Sequence, residues 1–254
     1  MQTFINFANQ LADAARPIVM QYFRSNLTID SKADESPVTR ADQEAEKMIR
    51  QLIETRFPDH GIYGEEFGPV RLDADYIWVI DPIDGTQAFA TGKPLFGILI
   101  ALLHKGQSIV GVLDMPALKE RWVGAKGQPT TFNGQPARTR PCDDLKGAWI
   151  YATSPEMFRT SHFGAFNTLK KSCRRAVYGA ECQAYGLLSS GWVDVVCEDT
   201  LQPYDYAAMI PIVEGAGGVI SDWQGQPLGL KSDGAVLAAG DPGLHKIALD
   251  LLKM

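Results

Sequence analysis

A run of bulky apolar residues, Tyr76-Ile77-Trp78-Val79-Ile80, passes directly into Asp81-Pro82-Ile83-Asp84-Gly85-Thr86. An uninterrupted run of this kind marks a strand covered on both faces, so two carboxylates stand where a buried strand ends. Pro82 fixes its own φ and removes a donor, and Gly85 opens backbone conformations closed to other residues. The spacing predicts a tight turn that points both carboxylates into one pocket. Gly85 and Thr86 are then expected to open a helix, whose free N–H groups suit a phosphate. Hard divalent cations take carboxylate, water and phosphate oxygens. A lone Asp-x-x-Asp would be an acidic turn; six residues in this order behind a buried strand point to a metal–phosphate site.

The apolar period changes along the chain. Phe4, Phe7, Ala8, Leu11, Ala15, Ile18, Val19 and Tyr22 recur at helical steps, and a second helix is predicted over 41–57. In that helix Ala45, Met48, Ile49, Leu52 and Ile53 are expected to face inward, with Pro58 as the stop. Strands are predicted at 76–80, 96–103, 108–113 and 121–123, then at 149–152 and 193–197. Further helices are predicted around 185–190 and over 205–214 and 243–252. The polar, proline-containing stretch 139–147 is the expected junction between two halves. Alternating strands and helices in the second half require layered α/β packing.

A chain of 254 residues with 45% hydrophobic and 21% charged residues can bury a sizeable core. Its net charge of −6 offers no basic stripe for nucleic acid. No apolar run spans a bilayer, and Asn6, Asn9, Gln10, Asp13 and Arg16 interrupt the N-terminal stretch where a signal peptide would need an apolar core. Cys142, Cys173, Cys182 and Cys197 lack Cys-x-x-Cys spacing and are expected as free thiols. The expected location is the cytoplasm.

The signature at 81–86 resembles that of the inositol monophosphatase superfamily of Mg²⁺-dependent phosphatases. Gly64-Glu65-Glu66 resembles the superfamily's metal loop, and Tyr204-Asp205 followed by Gly215-Ala216-Gly217-Gly218 resembles its downstream site. Ser36-Pro37-Val38-Thr39-Arg40-Ala41-Asp42 extends the match over most of the chain. The resemblance implies an α-β-α-β-α layered sandwich forming one phosphatase domain over 1–254. Its first half, about 1–140, would carry the metal and water-activating loops; its second, about 141–254, would carry Asp205 and the substrate contacts. It further implies two or three Mg²⁺ ions, with Glu65, Asp81, Asp84, Asp205 and the Ile83 carbonyl as ligands. Asp42 and Thr86, with Glu65, would orient and deprotonate the attacking water, and Gly85 and Thr86 would hold the phosphate. The implied substrate is a small phosphate monoester, and the implied assembly a homodimer.

Four carboxylates in one cleft raise each other's pKa, and divalent ions relieve that repulsion while activating water. No Cys-x₅-Arg loop or Gly-x-Ser-x-Gly elbow offers a covalent nucleophile. His60, His104, His162 and His245 are scattered and are given no catalytic role.

The stretch from Gln87 to Leu102, containing Phe89-Ala90-Thr91-Gly92-Lys93-Pro94-Leu95-Phe96-Gly97, looks most like the histidinol-phosphate phosphatase branch. So do Leu201-Gln202-Pro203-Tyr204-Asp205-Tyr206 and Ala152-Thr153-Ser154-Pro155. In that branch Glu181 and Glu198 align with positions that contact the organic part of the substrate, and carboxylates there suit an ammonium or imidazolium. Gln87 and Glu181 depart from the residues usual in the branch. The resemblance therefore implies hydrolysis of L-histidinol phosphate, with a myo-inositol-1-phosphate or broad sugar-phosphate monophosphatase as the alternative.

Overall fold

The computed structural model describes residues 1–25, 30–31, 37–38 and 40–253. Ser36 and Thr39 of the Ser-Pro-Val-Thr-Arg-Ala-Asp motif lie outside the described residues. The chain opens with helix α1 (Gln2–Tyr22), short strands β1 (Asp30–Ser31) and β2 (Pro37–Val38), and helix α2 (Arg40–Arg56). Strands β3 (Gly61–Gly64), β4 (Gly68–Val70) and β5 (Tyr76–Asp84) lead to the short helix α3 (Thr86–Ala90). A meander follows: β6 (Gly97–His104), β7 (Gln107–Met115), β8 (Glu120–Ala125), β9 (Gln128–Phe132) and β10 (Gln135–Pro136). The second half runs β11 (Trp149–Ala152), α4 (Thr160–Ser172), β12 (Arg175–Tyr178), α5 (Gln183–Ser189) and β13 (Val195–Glu198). It ends with α6 (Pro203–Tyr206), α7 (Met209–Gly215), β14 (Val219–Asp222), β15 (Val236–Ala239) and α8 (Pro242–Leu252).

Two sheets result, an eight-stranded one in the order β10-β9-β8-β7-β6-β5-β3-β4 and a five-stranded one in the order β12-β11-β13-β15-β14. Period-two side-chain alternation divides the strands between cores. Trp78, Ile80, Ile98, Ile100, Val110 and Val112 pack against α1 and α2, whereas Ile77, Val79, Leu99, Ala101, Leu113 and Met115 face α5, α6 and α7. On the far side of those helices, Val196, Val236 and Ala238 complete the central core, while Val195, Cys197, Leu237 and Ala239 turn toward α4 and α8. The order of layers is therefore helix, sheet, helix, sheet, helix, as expected. Among the described residues no helix is long and apolar enough to cross a membrane, and the four cysteines are free thiols.

Close backbone approach seats the middle helix layer. Gly111 and Gly124 are cross-strand partners in β7 and β8. A Cβ at Gly111 would lie 2.0 Å from the Ala208 carbonyl oxygen, and one at Gly124 2.3 Å from that of Pro211. These two glycines let α7 rest directly on the sheet.

Three local expectations need correction. The helix predicted over 205–214 is two helices, α6 and α7. Pro211 lacks the amide hydrogen an interior position would donate, so it fits only a first turn and α7 restarts just before it. Met48 is exposed rather than inward-facing; the buried face of α2 is Ala41, Asp42, Ala45, Glu46, Ile49 and Ile53. Finally, the strand does not stop at residue 80. β5 continues through Asp84, and the pairs Asp81↔Leu99 and Asp84↔Gly97 enclose one extra residue on β5. The expected tight turn is a β-bulge, a device that re-aims side chains. Pro82, which can donate nothing to a ladder, sits within the bulge, where a sheet tolerates it.

Candidate active site

The bulge brings Asp81 and Asp84 to one end of the eight-stranded sheet. β3 runs parallel to β5 with Gly64 opposite Ile80, so Glu65, the next residue, emerges beside Asp81. Asp42 reaches the same place from the first turn of α2, and Asp205 arrives from α6. Carboxylate oxygens of Asp42, Glu65 and Asp81 lie within 4.8 Å of one another, as do those of Asp81, Asp84 and Asp205. Asp81 belongs to both groups.

Local hydrogen bonds fix these acids. Asp81 Oδ1 accepts from the Ile83 amide at 3.0 Å. Asp84 Oδ2 accepts from the Cys182 amide at 3.0 Å, which ties the bulge to the start of α5. Asp205 Oδ2 accepts from the Gln202 amide at 2.7 Å as half of a capping box. Gly85 takes φ +84° and precedes α3 as its N-cap, so it supplies the left-handed residue the turn into the helix requires. The Thr86 hydroxyl donates to the Ile83 carbonyl at 3.2 Å, and the Ile83 side chain is fully buried in the core.

Burial raises the pKa of Asp81 well above the usual carboxylate range, and Glu65, Asp84, Asp205 and Asp42 push it further. Asp205 is raised for the same reasons, burial first and then Asp84. Asp84 is raised by burial, partly offset by its Cys182 hydrogen bond. Buried acids without counter-charge are costly. An all-oxygen donor set of clustered carboxylates fits a hard divalent cation, which would remove that cost.

Glu181 and Glu198 both stand beside this cluster. Glu181 has φ +51° and directly precedes Cys182; a Cβ placed on Gly85 would be 3.1 Å from its Cγ. Its carboxyl pKa is pushed up to about 7 by burial and Asp84, against the lowering effect of Lys93. Glu198 is buried and held: Oε1 accepts from the Thr153 amide at 3.0 Å and hydroxyl at 2.6 Å, and Oε2 accepts from the Tyr185 hydroxyl at 2.8 Å. Burial raises its pKa too, and these hydrogen bonds counteract it.

The structure thus gathers Asp42, Glu65, Asp81, Asp84, Asp205, Gly85, Thr86, Glu181 and Glu198 in one region. Sequence reasoning passed over Glu46. Its buried carboxylate accepts from the amides of Glu66 at 2.7 Å and Phe67 at 3.2 Å and from Arg50 Nε at 2.7 Å. A Cβ at Gly64 would be 2.1 Å from Glu46 Oε1, so Glu46 shapes the turn that presents Glu65. The signal was present: Glu46 lies one turn beyond Asp42 on the same face as Ala45 and Ile49, where an acid needs a purpose.

Comparison with known proteins gives the family and the fold. A sequence model of the inositol monophosphatase family matches residues 1–253. A bifunctional phosphatase of Arabidopsis thaliana, IMPL2 (chloroplastic), is 45% identical over 262 residues, covering 100% of this chain and 76% of its own length. A histidinol-phosphatase of Chlorobaculum parvum is 35% identical over 248 residues, covering 96% and 95%. Among solved structures, an inositol monophosphatase from Zymomonas mobilis superposes with a TM-score of 0.93 at 46% identity, covering 100% of this chain and 98% of that one. The layer order and a family-model match over nearly the whole sequence make this chain a member of the inositol monophosphatase family.

Proposed function

We propose that this phosphatase is a Mg²⁺-dependent phosphomonoesterase whose substrate is L-histidinol phosphate. The observation that carries the reading is the pair of overlapping carboxylate groups sharing Asp81. Glu65, Asp81, Asp84, Asp205 and the Ile83 carbonyl would hold the metal. When bound, divalent ions supply Lewis acidity and lower the pKa of water toward neutrality. The chain's own residues supply orientation. Thr86 commits its proton to the Ile83 carbonyl, so its oxygen is left as an acceptor for the attacking water. Asp42 and Glu65 lie close enough to Asp81 to receive the water's proton within the same cluster. Gly85, with no side chain, lets a phosphoryl group approach the backbone at the start of α3.

For the alcohol end, a carboxylate at position 181 beside Gly85 suits an ammonium near the phosphate, because charge-assisted hydrogen bonds are the strong ones. Glu198, already engaged by Thr153 and Tyr185, gives that side of the cleft a second fixed acid. The histidinol-phosphatase relative supports this choice. The similarity to the Zymomonas mobilis inositol monophosphatase supports the second reading, an inositol-phosphate or broad sugar-phosphate phosphatase. Parallel kcat/KM measurements on histidinol phosphate and inositol 1-phosphate decide between them. Histidinol phosphate should be the best substrate; a higher value for inositol 1-phosphate would overturn the assignment.

A further inference from the structure

Lys93 lies outside the acid cluster yet on the loop that leaves its signature. Its amide donates to the Ala88 carbonyl at 2.8 Å, closing α3, and its side chain crosses to the segment before α5. There Nζ donates to the Gly179 carbonyl and stands 3.8 Å from Glu181 Oε1. At that separation the second contact is an ion pair rather than a hydrogen bond.

The segment Lys93 grips is conformationally demanding. Gly179 has φ +75° and Glu181 φ +51°. The left-handed region is natural for glycine and uncommon for a long side chain, persisting only where the surroundings over-determine it. Three contacts do so here: Gly179 N to the Thr153 carbonyl at 3.0 Å, Cys182 N to Asp84 Oδ2 at 3.0 Å, and the Lys93 ammonium. The first two are backbone amides. Lys93 is the cationic side chain of the three, and 41% of it is exposed, so it can be exchanged without opening the core.

We infer that Lys93 is a positioning residue for substrate choice, holding segment 179–181 so that the Glu181 carboxylate stands over Gly85 and meets the cationic part of the phosphate ester. This rests on the proposed preference for a cationic alcohol. The ion pair of Lys93 is with Glu181; its effect passes through Glu181 and is felt by a charged substrate more than by a neutral one.

The test uses the full chain with Mg²⁺ and compares wild type, Lys93→Met and Lys93→Arg on histidinol phosphate and inositol 1-phosphate. The ratio of the two kcat/KM values cancels the fraction of active protein in each preparation. Lys93→Met should lower that ratio about tenfold, the scale of one lost charge-assisted contact, chiefly through KM for histidinol phosphate. Lys93→Arg, which keeps the cation and its donors, should restore most of it. Lys93→Gln replaces the methionine variant should that one not fold. An unchanged ratio overturns the inference. A ratio that rises also overturns it, showing that Lys93 competes with substrate for Glu181. A wild type without preference for histidinol phosphate is a separate failure, since it refutes the substrate reading before any variant is compared.

Discussion

Asp114 and Asp81 are both buried acids of the eight-stranded sheet, and their surroundings have opposite sign. Asp114 on β7 accepts from Arg16 Nε at 3.0 Å through Oδ2 and from Arg121 Nε at 2.7 Å through Oδ1, where the Arg16 Nη2 group also lies. Arg121 also reaches Asp13 at 2.7 Å. The same solution recurs in the second half, where Asp194 is gripped through both oxygens by Arg140 at 2.7 Å and Asp199 by Arg159 at 3.1 Å. On β5, by contrast, the charged groups acting on Asp81 among the described residues are Glu65, Asp84, Asp205 and Asp42, all carboxylates. Buried charge is tolerated when paired within the protein or when it coordinates metal. Asp114, Asp194 and Asp199 are completed by the chain itself. Asp81, Asp84 and Asp205 instead form a group of carboxylates that could hold a metal ion.

Substitution should separate the two kinds of acid, and activity shows the largest difference. Asp84→Asn or Asp205→Asn should cut turnover at fixed Mg²⁺ by more than about a hundredfold, beyond what loss of a ligand's outer partner costs. Raising the Mg²⁺ concentration should recover part of the loss. Thr86→Ala should lower kcat by roughly a hundredfold or more, the range of positioned proton transfer, with its metal dependence unchanged. Wild-type behaviour in Thr86→Ala would refute the role given to that hydroxyl.

Asp114→Asn should do the reverse. Removing one partner of a buried ion pair costs about 3–5 kcal/mol, so denaturant melts should shift strongly while kcat of the folded fraction is preserved. Equal loss of activity from Asp84→Asn and Asp114→Asn, at equal stability, would erase the distinction.

A smaller effect is expected in substrate choice. Glu181→Gln should reduce kcat/KM for histidinol phosphate about tenfold to a hundredfold while sparing inositol 1-phosphate; Glu181→Asp should retain most activity. Equal losses on both substrates would favour the inositol or broad-specificity reading.

The smallest effect is on stability against pH. The Glu181 pKa is raised from 4.5 to about 7 by folding, so the folded state holds a proton that the unfolded chain releases. That contribution is fully present below pH 4.5 and is lost as pH rises through about 7. In metal-free protein, Glu181→Gln should therefore melt on the order of a few degrees above wild type at pH 8, with the gap closing toward pH 4.5. A gap independent of pH would mean that the carboxyl is not held in this environment.

Much of this contrast was legible in the sequence. Glu65 and Asp205 were reached through the family resemblance, whereas strand β5, the acids at 81 and 84, and the need for Gly85 follow from local pattern. The bulge did not, because it depends on which residues of β6 oppose Asp81 and Asp84. On α2, Ala45, Ile49 and Ile53 are buried as periodicity predicts, while Asp42 and Glu46 rather than Met48 share that face. Glu46 is buried because the turn at 64–67 donates to it, a contact made across 20 residues. The division between α6 and α7 was readable in Pro211 and was missed. Lys93 carries no sequence signal, since its partner, the Gly179 carbonyl, lies 86 residues away.

The central claim, that the acids around Asp81 are completed by a divalent cation needed for phosphate release, is tested most directly by turnover in metal-stripped protein. Histidinol phosphate should not be hydrolysed in the presence of chelator. Added Mg²⁺ should restore the rate, and Ca²⁺, which tolerates looser geometry, should inhibit it. Full turnover in chelator, with no response to Mg²⁺, would contradict the account.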